Sequence, residues 1–322
     1  MKIGILGAGR IAGKFANTMN QVSEAECWAV ASRSAERAAA FAEQWGFAKS
    51  LGSYEEMLSD PELELVYVAT PHSHHYEHMK LCLEYGKHVL CEKAFTLNAA
   101  QAREIAALAA EKNCYLAEAL WTRYMPSRQI IDDLLSSGII GKVRMLTANL
   151  CYPVSHKERI MDPALGGGAL LDLGVYGLNF AMTHLGHEIT GVDTTVQMTD
   201  TGVDGSEVIT LRYRNGAMAV LTHSVFARSD LQGVFSGEKG YIVVENINNP
   251  KSASAYDDYG RLLKRVEVPP QVTGYEYELQ EAIRCISEGK TRTECITPEY
   301  SVKLMELMDR VRDQWGFRFP QE

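Results

Sequence analysis

Four groups of side chains in this sequence have the types and spacing that chemistry requires. In the first, Gly7-Ala8-Gly9-Arg10-Ile11-Ala12 follows the apolar run Ile3 to Leu6 directly. Gly7 suits a tight turn, Gly9 lets the backbone approach a pyrophosphate, and Ala12 lets a following helix lie close to the strand. The open N–H groups and partial positive charge at the start of such a helix would hold the anion. In the second, Cys91-Glu92-Lys93-Ala94 ends another apolar run, so Lys93 could set a cation beside a reacting oxygen. By composition alone, a single lysine is more often a solvated surface charge. In the third, Asp172 and Tyr176 lie four apart in the apolar stretch that follows Gly166-Gly167-Gly168, and on a helix they would share one face. Three glycines there would let the helix start approach a flat ligand. An acid in such a stretch needs a partner, so a salt bridge beside a core tyrosine is the structural alternative. In the fourth, His72, His74, His75 and His78 invite a metal, with His74 and His78 at helical spacing, yet no cysteine or acid pattern completes a site.

Two further segments bear on a bound nucleotide. After the second apolar run the chain reads Ala31-Ser32-Arg33-Ser34, with no acid before Glu36. An acid at this point would meet a ribose 2′-hydroxyl, whereas a hydroxyl and a guanidinium suit a 2′-phosphate, so NADP is expected ahead of NAD. Ser32 and Ser34 could also cap the next helix, and the two roles are compatible. Glu118, Trp121, Arg123 and Tyr124 lie where a first domain would hand over to a second. Trp121 and Arg123 could line a crevice, or Glu118 could pair with Arg123 in plain packing.

The elements that must position these groups follow from periodicity. Short apolar runs near 2–6, 26–31, 64–69, 87–91 and 114–118 read as buried parallel strands. They alternate with helical patterns near 10–20, 34–45, 74–85 and 97–112, which predicts a doubly wound dinucleotide-binding (Rossmann) sheet in residues 1–120. From residue 121 the pattern changes. A helix is expected from Arg123 to Ser137, a strand from Lys142 to Cys151, and a helix from about Ala169 to Leu185. Strand-like runs follow at 192–199, 206–214, 217–226, 231–236 and 240–245, and Asn215-Gly216 is a strong hairpin turn. Helices near 274–288 and 298–314 close the chain. Residues 121–322 are therefore expected to form an α+β substrate-binding, catalytic and dimerisation domain on a large open, mainly antiparallel sheet.

Bulk properties exclude several classes. The 322 residues suit two domains, with 46% hydrophobic and 23% charged residues. A net charge of −9 argues against a nucleic-acid partner. No stretch nears the roughly 20 apolar residues that span a bilayer, and seven cysteines without framework spacing read as reduced thiols. A cytoplasmic enzyme is expected.

The segments GAGRIA (from Gly7), TPHSHHYEH (Thr70 to His78), CEKA (around Lys93), EALWTRYMP (Glu118 to Pro126) and GGGALLDLGVYGLNF (Gly166 to Phe180) resemble the glucose–fructose oxidoreductase/inositol dehydrogenase superfamily. The match is to the branch of dimeric dihydrodiol dehydrogenases and NADP-dependent xylose dehydrogenases. The resemblance implies that Lys93 binds the substrate hydroxyl, Tyr176 gives or takes its proton, and Asp172 supports the pair. A phenol ordinarily titrates near about pH 10, and a neighbouring ammonium favours its phenolate. The resemblance also places Thr70, Pro71, His72, His75 and Glu92 by the cofactor, with His74 and His78 facing solvent. Many relatives carry proline after the lysine, often with a cis bond. Here Ala94 leaves two possibilities, a retained cis bond or a trans bond that aims Lys93 differently. The expected protein is an NADP-dependent oxidoreductase for a sugar, polyol or trans-dihydrodiol, and a homodimer joined through the open sheet. The alternatives are a non-catalytic NADP-binding regulator and, last, a zinc hydrolase using the histidines.

Overall fold

The structure is a computed structural model that describes all residues, 1–322. Its chain divides into two compact units, each discontinuous in sequence: Met1–Tyr124 with Gln271–Met305, and Met125–Pro270 with Glu306–Glu322.

The first unit begins with β1 (Lys2–Leu6), α1 (Arg10–Met19), β2 (Glu26–Ala31), α2 (Ala35–Trp45), β3 (Lys49–Leu51) and α3 (Tyr54–Leu58). It continues through β4 (Leu65–Val68), α4 (His75–Glu84), β5 (His88–Glu92), α5 (Ala99–Glu111) and β6 (Leu116–Ala119). Its six strands run in the order β3-β2-β1-β4-β5-β6, all parallel, which is the expected doubly wound sheet. The short β3 and α3 did not show in the periodicity because each is too brief for a repeat to register. Both faces of the sheet are buried, so its strands are apolar without alternation. Ile3, Ile5, Val30, Leu65, Tyr67 and Leu90 meet Ala12, Phe15, Ala16 and Met19 of α1 in one cluster.

That cluster also contains Leu279, Ala282, Ile283 and Cys285, from a helix near the far end of the chain. The expected division at residue 120, with 121–322 as one continuous domain, therefore needs correction. The stretch Gln271–Met305 returns to the first unit because its apolar stripe covers a sheet face that α1 alone leaves open. A backbone bond from Leu116 N–H to Thr291 C=O ties edge strand β6 to the same returning segment, at 3.1 Å.

The second unit contains α6 (Pro126–Ser136), β7 (Val143–Cys151), α7 (Glu158–Met161), a π-helical turn (Leu170–Gly174) and α8 (Val175–Leu185). Strands β8 (Ile189–Met198), β9 (Asp204–Tyr213), β10 (Met218–Ser224), β11 (Gly233–Gly237) and β12 (Gly240–Val244) follow. Then come β13 (Ser252–Asp257) and β14 (Leu262–Glu267), both beyond what the strand pattern indicated. The sheet has eight strands in the order β14-β13-β12-β11-β7-β10-β9-β8, antiparallel throughout except for the parallel pair β7 and β10. The hairpin at Asn215-Gly216 forms as expected, with Gly216 at φ +85° and the Asn215 side chain accepting from Ala217 N–H at 2.9 Å. Helices α6 and α8 pack on one face. Helices α9 (Glu276–Ser287) and α10 (Pro298–Trp315) end the chain, and the division between the units falls within α10, after Met305.

Candidate active site

The glycine turn lies at the carboxyl end of β1, in the centre of the parallel sheet. Gly7 has φ +100°, and a Cβ there would lie 2.9 Å from Ala69 O, so this glycine is required by the protein itself. Gly9 differs. Its backbone is extended (φ −96°, ψ −174°), and a Cβ would meet no atom within 4 Å beyond its chain neighbours. Gly9 caps α1 without a side-chain acceptor, and α1 has no acid in its first turn. By contrast Ser34, Ser53 and Asn98 cap α2, α3 and α5. The first N–H groups of α1 have no intrahelical partner and no side-chain cap, and the space where a Gly9 side chain would lie is open. This is the cradle a dinucleotide pyrophosphate fits.

At the end of β2, Ser34 does cap α2, accepting from Arg37 N–H at 3.2 Å, while Ser32 Oγ accepts from Ser34 N–H at 3.4 Å. Arg33 is exposed and makes no ion pair. Beyond β4, His78 and His74 are half-buried, which corrects their expected solvent-facing placement. Their rings stack at 5.6 Å, Tyr54 meets His78 edge-on at 4.9 Å, and His78 Nδ1 bonds Thr70 Oγ1 at 2.9 Å. Burial holds His78 down at about 4, and the Arg33 charge adds to the depression of both imidazoles. Arg33, Tyr54, His74 and His78 therefore gather where β2 and β4 end.

His75 is fully buried, with its ring nitrogens 2.8 Å from Thr70 O and 2.8 Å from Ala94 O. Burial holds His75 down at about 4, so its neutral ring donates to one of these carbonyls and only abuts the other, lying between the loop after β4 and the loop that carries Lys93; His72 packs against its ring edge-on at 5.7 Å. The four histidines engage these separate partners, and no group of three or more His, Cys, Asp or Glu side chains is placed to hold a metal ion. Glu92 is buried at the end of β5; it accepts from the Tyr67 hydroxyl and, at 3.2 Å, from Lys93 N–H. The Lys93–Ala94 peptide bond is cis, which decides between the two geometries left open by the missing proline. Lys93 itself is half-buried.

Trp121 and Arg123 are both buried at the end of β6. Arg123 Nε donates to Cys295 O at 2.9 Å and its guanidinium lies over the Tyr300 ring at 4.2 Å. Glu118 accepts from Ser301 Oγ at 2.6 Å, and burial raises its carboxyl to about 7. Trp121 stacks on Tyr275 at 4.7 Å with the rings 16° apart. Tyr275 was missed from sequence. It belongs to the returning segment, whose loop is folded by Glu276 accepting from the N–H groups of Val272, Thr273 and Gly274 at 2.7, 2.9 and 2.6 Å. Gly274 at φ +94°, where a Cβ would lie 2.6 Å from the Trp121 ring, was the available signal.

In the second unit Asp172 lies in the π-helical turn and Tyr176 in the first turn of α8, so the expected single helix from Ala169 opens with a wider turn. Asp172 is buried and is gripped by Arg159, with Nη1 to Oδ1 at 3.0 Å and Nη2 to Oδ2 at 3.5 Å. Arg159 was also missed, since nothing in the spacing relates it to Asp172. Tyr176 is half-buried. Of the three glycines expected to let the helix start approach a flat ligand, Gly167 and Gly168 instead face protein atoms, a Cβ at Gly167 lying 2.5 Å from Ile160 O. Cβ atoms at Gly168, Gly174 and Gly177 would lie 2.2, 2.4 and 2.1 Å from Asp204 Oδ1, Glu207 Oε1 and His223 Nε2. They make room for protein side chains.

Residues 1–120 match the model described as an oxidoreductase family with an NAD-binding Rossmann fold, and residues 129–243 match the GFO/IDH/MocA C-terminal domain. The chain is 32% identical to trans-1,2-dihydrobenzene-1,2-diol dehydrogenase of Mus musculus and 31% identical to that of Homo sapiens, each over 100% of this chain and 99% of the relative. Among solved structures, a 3-ketoreductase from Actinomadura kijaniata in complex with NADP and TDP-benzene is similar, with a TM-score of 0.91 and 26% identity over 97% of both chains. The chain belongs to the GFO/IDH/MocA family and is an oxidoreductase.

The contrast between Gly7 and Gly9 yields a test. Gly9→Val has room in the protein but not beside a pyrophosphate, so it should leave the thermal midpoint nearly unchanged and weaken NADPH binding by about tenfold or more. Gly7→Val should lower the midpoint itself. Scanning calorimetry and nicotinamide fluorescence titration separate the two, and equal loss of stability in both variants would contradict the reading of Gly9.

Proposed function

We propose that this oxidoreductase is NADP-dependent and acts on the hydroxyl- or carbonyl-bearing carbon of a sugar, polyol or trans-dihydrodiol. The observation that carries the cofactor preference is Arg33, a guanidinium without an ion-pair partner at the end of β2, where no acid is present to meet a ribose hydroxyl. Ser32 Oγ accepts from Ser34 N–H and keeps its own proton for an anion. In this reading Gly7, Ala8, Gly9, Arg10 and Ile11 hold the pyrophosphate, and Ser32 and Arg33 hold the 2′-phosphate. Thr70, Pro71 and His72 flank the nicotinamide ribose, and Glu92, Lys93 and Trp121 lie towards the reacting end. His75 and Arg123 serve this site by bracing the loops that carry Lys93 and Trp121. The NADP bound to the similar ketoreductase and the diol substrate in the names of the dehydrogenases support the same assignment.

A bound nicotinamide would supply or accept the hydride. The chain's own residues handle the proton. Lys93 donates a hydrogen bond to the substrate oxygen and stabilises negative charge on it. Tyr176 takes the hydroxyl proton during oxidation and returns it during reduction. Asp172, oriented by the Arg159 fork, supports both. A regulator without turnover has no use for such a proton donor.

We further propose a homodimer through the open sheet face. Outward residues there form continuous cross-strand rows, Thr210–Val220–Thr147–Val234–Val243 and Arg212–Met218–Met145–Ser236–Tyr241–Tyr256. They are apolar or hydroxyl-bearing for the most part, and Met145, Met218 and Val208 are about two-fifths exposed (39%, 37% and 43%). A broad, weakly polar face of this kind is what an isologous interface covers. No helix is long and apolar enough to cross a membrane, and all seven cysteines are free thiols, which supports a reducing, cytoplasmic location.

Three measurements test these assignments. Arg33→Ala should weaken NADPH binding by roughly ten- to hundredfold, as expected for losing charge-assisted hydrogen bonds of about 1.5–3 kcal/mol, and leave NADH binding nearly unchanged. A parallel loss for both cofactors would remove the 2′-phosphate assignment. With the best substrate from a screen of sugars and diols, Tyr176→Phe should lower kcat by about 10²–10⁴-fold, and unchanged turnover would exclude Tyr176 as the proton carrier. Val220→Asp should convert the dimer to monomer in sedimentation velocity, and a dimer that persists would place the interface elsewhere.

A further inference from the structure

Behind the turn that carries Asp172 and Tyr176 lie three buried ionisable side chains from the neighbouring strands. Asp204 and Glu207 come from β9 and His223 from β10, with Glu207 and His223 fully enclosed. Asp204 Oδ2 accepts from Leu170 N–H at 2.6 Å, at the start of the π-helical turn. Glu207 Oε1 and His223 Nδ1 are 2.7 Å apart. Each of the three presses on a different glycine of the same segment, Gly168, Gly174 and Gly177, and Tyr176 is the residue before the last of these.

We propose that Asp204, Glu207 and His223 form a positioning platform that sets the placement of Tyr176, fixing the π-helical turn and the start of α8 from behind. The platform rests on the reading of Tyr176 as the proton carrier and adds the residues that aim it.

Three physical points support it. Polar groups are costly in such a place, and Glu207 Oε2 and His223 Nε2 have no further partner. An apolar pair of similar volume would hold two strands together at lower cost, so strand cohesion alone does not explain these residues. Next, the burial that raises Glu207 and Asp204 and lowers His223 keeps the Glu207–His223 pair neutral. Last, the approach is too close for any side chain on the helix. A methyl group at Gly177 would lie 2.1 Å from Nε2, so the start of α8 lies directly against the imidazole and cannot move towards it.

The test uses the full-length protein, with NADP and either trans-1,2-dihydrobenzene-1,2-diol or D-xylose, whichever the wild type turns over faster. His223→Gln and Glu207→Gln should each lower kcat by about ten- to hundredfold, as misplacement of a reacting group on the ångström scale does. NADPH affinity and substrate KM should stay within about twofold. A purely structural role would lower the thermal midpoint and leave kcat per folded molecule unchanged. Because either variant could fail to fold, a coupling measurement stands beside them. Gly177→Ala should cost far more kcat in the wild-type background than in His223→Ser, where the added methyl has space. Equal cost in both backgrounds, or wild-type kcat in a folded His223→Gln, would overturn the platform. Tyr176→Phe distinguishes the failures: if it retains turnover the proton-carrier reading falls, whereas if it is inactive while His223→Gln is normal only the platform falls.

Discussion

Six parallel strands can be buried on both faces only if helices cover both faces, and in this protein one of the covering helices comes from the far end of the chain. Leu279, Ala282 and Ile283 of α9 join Phe15 and Tyr67, whose rings stack at 3.6 Å, in the cluster on one side of the first sheet. Much follows from that single burial requirement. The returning segment must turn sharply to enter α9, which Gly274 allows and Glu276 stabilises by collecting three backbone N–H groups. The same turn delivers Tyr275 to the face of Trp121. Packing thereby fixes an aromatic pair at the end of β6, among the strand ends where a cofactor is expected.

The strand ends show how much of a site periodicity can locate. Parallel strands place their carboxyl ends along one edge of the sheet, so Gly7, Ser32, Thr70, Glu92 and Trp121 could be read as neighbours from their positions after β1, β2, β4, β5 and β6. Their individual duties were less legible. His75, expected near the cofactor, is fully buried with its ring between two backbone carbonyls, whereas His74 and His78 looked solvated and instead share a half-buried corner with Arg33 and Tyr54. Side-chain direction within an irregular loop has no sequence period, and the 3₁₀ turn at His72–His74 removes the helical spacing that would otherwise assign faces.

The second unit was legible to the level of its sheet and one hairpin, and opaque beyond it. Alternation identified five of the later strands, but β13 and β14 lie beyond them. Ser252 to Ser254 is buried although Ser is polar, and β14 is exposed along most of its length, so neither shows the hydrophobic alternation that marks a half-buried strand. Outside that hairpin, which strands become neighbours is equally hidden. Glu207 meets His223 as a cross-strand pair of the hairpin that Asn215-Gly216 announced, though the exact register was not legible, whereas no local pattern relates Arg159 to Asp172.

Glycine illustrates why the two sites differ in legibility. A glycine in sequence states that a side chain is excluded, without stating what excludes it. At Gly9 the excluded volume is open, and a ligand is the remaining claimant. At Gly168, Gly174 and Gly177 the volume is already filled by an aspartate, a glutamate and a histidine from strands more than thirty residues away in the chain. Both patterns look alike in one dimension, and the first invites a binding reading that the second would wrongly inherit. The distinction matters for mechanism. An open glycine leaves affinity to the ligand, while a filled one transmits the position of its neighbour to whatever the helix carries, here Asp172 and Tyr176. In the role proposed for it, Tyr176 must hold its oxygen within hydrogen-bond reach of the substrate through every turnover. A helix start pinned against a buried imidazole and two carboxyl groups restricts that oxygen far more than a helix seated on pliant apolar side chains would.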